Sequence, residues 1–211
     1  MADEALPSWF TGEPSAVCSL LPQPLLMTGL FRSLLTSHFC TSRNIQTPDL
    51  RQLIWQETPP SGILIESKHR WRPDMTQNRP AVIIGRNAYQ NQRIGIGDRH
   101  QPSPRNTEGT HYATMWLGSH SLFCIGGTGA QAELLATEVQ RELTEFGEEI
   151  RKTMRLHRFA VTEVSAIHEL EESTENFVVH VTVGYAFQEL WLVRAQTPPL
   201  RRISLSMILD L

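Results

Sequence analysis

From Phe177 to Phe187 every odd position is apolar, while the even positions include His180, Thr182, Gly184 and Ala186. A two-residue period of this kind predicts a strand with one packing face and one small or polar face. The pattern runs on through Trp191 to Val193. At about 3.3 Å per residue, the whole stretch would span roughly 56 Å, about three times an ordinary strand. Such a strand either bends or reaches past its own domain. A longer period marks residues 130–154, where Leu134, Leu135, Val139, Leu143, Phe146 and Ile150 form one stripe and charged residues cover much of the rest. This predicts a long amphipathic helix that lays a single face on a sheet.

Upstream, Leu25, Leu26, Leu30, Leu34 and Leu35 recur at helical spacing after Pro24, predicting a helix over 25–39. Thr47 and Pro48 suit the cap and first position of a further turn. Strands are expected at 62–66, 81–87, 93–97, 112–125, 159–164 and 202–209, with 81–87 and 93–97 reading as a hairpin. Residues 98–109 are rich in Pro, Asn and Gly and read as an exposed, mobile loop. The fold class predicted is α+β, a mainly antiparallel sheet with the long helix packed on one face, preceded by an N-terminal arm and helix. Residues 1–24 form the arm, 25–78 a helical and irregular extension, and 79–211 the core domain.

With 211 residues, 40% of them hydrophobic, the chain is long enough to bury a real core. A net charge of −3 and a pI near 6.2 give no general drive toward nucleic acid or anionic membrane. Its apolar runs are too interrupted for a membrane span of about 20 residues. The first residues lack the charged start and apolar core of a secretory signal, so synthesis and assembly in the cytoplasm are expected. Cys18, Cys40 and Cys124 are an odd, widely spaced set, read as reduced and mostly buried thiols.

Candidate chemistry narrows quickly. Residues 126–130, Gly-Gly-Thr-Gly-Ala, sit between a strand and a helix, where N–H groups and the positive helix end can hold phosphate. They match neither dinucleotide-binding nor P-loop spacing, and read instead as a tight turn requiring positive φ. His120 and Cys124 share a strand face about 13 Å apart, too far for one metal ion. No catalytic residue, cofactor or metal ligand is expected. Glu169, Glu171, Glu172 and Glu175 read as a solvated loop. Residues 68–72, Lys-His-Arg-Trp-Arg, mix basic and aromatic side chains as nucleic-acid binders do, but in an acidic protein a protein-interface role is preferred. The expected interface residues are Trp9, Phe10, Trp71 and Trp191, in or beside irregular segments, and His180 on the small-residue strand face.

Taken in order, residues 112–125, the 126–130 turn, the helix holding Ala132-Glu-Leu-Leu-Ala136, residues 159–164, Glu171-Glu-Ser173 and residues 177–191 resemble proteins of the tailed-bacteriophage neck, tail terminators above all. The resemblance spans about residues 80 to 209 and is one of element order and texture. It implies a small α+β subunit without enzymatic activity, residing in the virion. Such subunits form a hexameric ring that caps the tail tube, meets the sheath where one exists, and joins the head connector, with incidental genome DNA contact in the lumen. A head-completion adaptor or baseplate protein shares these features. The region before residue 78 falls outside the resemblance, and its proline-rich arm is expected to lie on a neighbouring subunit or ring.

Overall fold

A computed structural model of the chain describes residues 24–57, 61–72, 75–76, 79–93, 99–101, 110–170 and 173–193. The protein is α+β. It divides into two compact units, one of residues 20–92 and 115–188, the other of residues 1–19, 93–114 and 189–211. In the smaller unit, β4 (Arg99–Gln101) pairs antiparallel with the start of β5 (Thr110–Gly126), Arg99 opposite Tyr112 and Gln101 opposite His111 across a register shift. Part of the segment read as a mobile loop is therefore paired strand, and its remainder lies outside the described residues. Trp9, Phe10, Cys18 and the strand predicted at 202–209 also lie outside them.

In the larger unit the strand order is β1 (Leu64–Ser67), β2 (Ala81–Arg86), β5, β8 (Ser173–Val193) and β6 (Arg158–Val164). β3 (Gln90–Arg93) pairs with β5, and β7 (His168–Leu170) with β8. The β1–β2 pairing is parallel; the registered pairs β2–β5, β6–β8 and β7–β8 are antiparallel. β2 is paired on its two sides by β1 and β5, which leaves it no edge for the predicted hairpin, and residues 94–97 of the partner strand lie outside the described residues. β8 exceeds expectation at 21 residues, yet it is flanked by β5 on one side and β6 and β7 on the other. It is an interior strand, and its last residues, 189–193, belong to the smaller unit.

Alternation along the strands decides which side the helices cover. Val82 and Ile84 of β2, Leu122 and Cys124 of β5, and Val179, Val181, Val183, Tyr185 and Phe187 of β8 join one core with helix α1 (Pro24–Phe39) and helix α2 (Gly129–Glu145). Ala81, Ile83, Ile125 and Val178 turn to the opposite face. The core also holds Phe31, Leu35, Ile45, Leu50, Ile63 and Ile65, so no boundary in packing falls near residue 78. The long helix breaks in two. At Phe146 the backbone turns to φ −88° and ψ 2°, and α3 (Gly147–Thr153) restarts at a glycine, the weakest helix former after proline. Arg155, at φ 51°, takes the left-handed position that usually ends such a helix as glycine.

Two buried polar networks tie the helices down. His38 of α1 places Nε2 3.0 Å from Glu138 Oε1 and Nδ1 2.8 Å from Glu142 Oε2, one turn further along α2. Two nitrogens facing two carboxylates need two protons between them, one more than a neutral imidazole carries. Glu138 also accepts from Gln46 N (2.8 Å), Thr47 N (3.1 Å) and Thr47 Oγ1 (2.6 Å). Thr47 thus gives its hydroxyl to Glu138 and does not cap the short 3-10 turn at Pro48–Leu50. Burial raises the Glu138 carboxyl, but these donors outweigh it and hold the group below its ordinary value; Glu142, with fewer donors, is pushed up by burial.

The second network fixes a histidine tautomer. Thr28 Oγ1 donates to Pro24 O (3.0 Å), so it accepts from His120 Nε2 at 2.9 Å. Nδ1 is then the acceptor for the Tyr185 hydroxyl at 3.0 Å, and Tyr185 in turn accepts from Tyr89. A fully buried, neutral imidazole results, with its pKa lowered to about 4, chiefly by burial. Cys124 is buried on the same strand face, its thiol pushed well up by burial, whereas Cys40 is exposed, contrary to expectation.

Candidate functional site

The sheet face away from the helices carries a cleft of about 470 Å³. Its floor is the alternate set of strand residues, Ile83, Ile125 and Val178. One wall comes from the segment just after β1, with Lys68 and Trp71; the other is β7, with His168, Glu169 and Leu170. Phe123 and His180 close it, their rings 4.6 Å apart and steeply inclined at 67°. The Lys68 ammonium lies 4.7 Å from the centre of the Phe123 ring, within cation–π range. A glycine makes this possible. A Cβ at Gly85 would stand 2.8 Å from Phe123 Cε2, so the ring occupies space that any side chain there would take.

The rim pairs one cation with one anion. Lys68, His168 and His180 converge on it against the single carboxylate Glu169. The His180 pKa is lowered, first by burial and then by repulsion from His168 and Lys68, with Glu163 opposing. Trp71 is half-buried, and its indole N–H donates to Thr76 Oγ1 at 3.1 Å. An apolar floor with aromatic walls and a lysine at the mouth suits an aromatic side chain that arrives with a carboxylate.

Two of the five expected interface residues, Trp71 and His180, meet in this cleft. Trp9 and Phe10 lie outside the described residues, and so does the side chain of Trp191. Phe123 and Leu170 were not anticipated. The signal for Phe123 is its place two residues from Ile125 on an alternating strand, which fixes its face once Leu122 and Cys124 are assigned to the other.

The 126–130 turn has another explanation than positive φ. None of its glycines takes that conformation; at Gly126 the constraint is space, since a Cβ would meet the Ala132 backbone N at 2.8 Å. Thr128 caps α2 by accepting from Gln131 N (3.2 Å), and Gln131 Oε1 accepts from Gly127 N (3.0 Å). This is a near capping box, which the Thr-x-x-Gln spacing could have revealed. It occupies N–H groups that a phosphate would need. Among the described residues, no three His, Cys, Asp or Glu side chains are grouped as metal ligands. No protein-family model matches the chain, and no curated protein matches it either.

Proposed function

We propose that this chain is a structural subunit that works by self-assembly, forming a ring at the head-to-tail junction of a tailed bacteriophage in the manner of a tail terminator. The observation that carries the reading is the one-sided sheet: both long helices pack on one face, and the other bears an aromatic cleft open to a partner. Concave clefts with an apolar floor and a few converging polar groups are where proteins take a ligand or a partner's side chain. Element order over residues 80–209, shared in texture with neck proteins, supplies the particular assembly. In this reading the ring is hexameric, caps the tail tube and meets the head connector, and acts by binding and geometry without a cofactor.

The test is direct. Purified protein mixed with uncapped tail tubes is expected to sit as a ring on one tube end in negative-stain images. Tubes that remain bare at saturating protein would sink the junction role.

A further inference from the structure

The cleft has the chemistry of a receptor for an acidic, aromatic segment, and the chain itself contains one. Residues 1–23 hold Asp3, Glu4 and Glu13, no Lys, Arg or His, and the adjacent pair Trp9-Phe10. The cleft matches the aromatic pair and offers one ammonium to the acidic groups. Its floor is Ile83, Ile125 and Val178, its aromatic walls are Trp71 and Phe123, and its mouth carries Lys68 and two imidazoles, with the carboxylate Glu169 on the β7 wall. Among the described residues Lys68 has the Phe123 ring as its partner and forms no ion pair. At about 470 Å³ the space falls in the range of clefts that enclose a compact ligand, enough for an aromatic side chain and its neighbours but not for a folded element.

We infer that this cleft receives the N-terminal arm of a second copy of the chain, Trp9 and Phe10 entering the apolar floor and the arm's carboxylates meeting the Lys68 side. The ring reading, which needs contacts between subunits, selects a neighbour over the arm's own copy. The arm joins α1 at Pro24, and α1 packs on the helix side of the sheet, the face opposite the cleft. An arm passed from each subunit to the next is also a head-to-tail contact, the kind that closes a ring when the rotation is right. The inference rests on the ring reading proposed above.

The test uses the full-length chain with Trp9 replaced by p-benzoylphenylalanine, in an equal mixture of ¹⁴N- and ¹⁵N-labelled protein. After irradiation, position 9 is expected to be joined to peptides carrying Lys68 to Trp71, Phe123 or Leu170, with mixed-isotope pairs as abundant as same-isotope pairs. Lys68→Glu should cut the cross-link yield about tenfold, equivalent to ~1.4 kcal/mol, while Lys68→Arg preserves it. Cross-links that map elsewhere in an assembled sample, or that join only same-isotope chains, would overturn the docking and leave the ring reading standing. Protein that scatters as a monomer and gives no cross-link between copies would overturn both.

Discussion

The junction between α1 and α2 and the cleft on the far sheet face use similar residue types in opposite ways. At the junction, His38, Glu138 and Glu142 are buried, with His38 bonded to both carboxylates and three further donors from Gln46 and Thr47 reaching Glu138. In the cleft, Lys68, His168 and Glu169 are exposed, and the aromatic rings beside them are only half covered. Buried charge is tolerated only when it is satisfied, so the first arrangement belongs to the fold. The second does little for the fold, which is what frees it to meet a partner.

Substitutions should separate the two regions. The largest effect is expected from Glu138→Ala, which strands His38, two backbone N–H groups and the Thr47 hydroxyl, and should cost about 3–5 kcal/mol in urea unfolding. A loss as small as that of a surface mutation would break the comparison. Next comes acidification. His120 is held near pKa 4 in the fold against 6.5 ordinarily, so protonation favours the unfolded chain. Its contribution is full above pH 6.5 and is lost as pH falls through about 4, worth roughly 3 kcal/mol at 1.36 kcal/mol per unit. Glu138, held below 4.5, adds to the acid loss, whereas Glu142, pushed up, opposes it. The His120→Gln variant isolates the histidine: between pH 7 and 4 it should lose markedly less stability than the parent, and an equal loss would refute the assignment.

In the cleft, effects on stability should be small. Trp71→Ala is expected to cost about 1 kcal/mol or less, and Lys68→Ala to stay within about 0.5 kcal/mol. Both should nonetheless weaken association between copies, read as a fall in scattering mass at fixed concentration. A variant that unfolds the protein, or one that leaves both stability and association unchanged, would blur the distinction between the regions.

Sequence patterns showed what depends on near neighbours along the chain. The odd-position apolar residues of 177–187 do face the helices, and the helix at 24–39 emerges within one residue of its expected start. Local patterns misled where tertiary partners decide. Gln90-Asn-Gln-Arg93 has no apolar residue to betray a strand, and it becomes one only because β5 offers an edge. The stripe Leu143, Phe146, Ile150 continues across the break between α2 and α3, so only Gly147 hints at it. Half the candidate site was visible for the same reason. Trp71 and His180 stand out by type and position, while their meeting with Phe123, and the Gly85 that makes room for it, depend on the register of three strands.

The central claim is that the open sheet face exists for assembly. Light scattering on the purified full-length chain tests it most directly. A mass of six times 23.9 kDa, falling toward one chain with Lys68→Glu while the fold stays intact, is the predicted result. A stable 23.9 kDa species at every concentration, in the presence of tail tubes as in their absence, would contradict it.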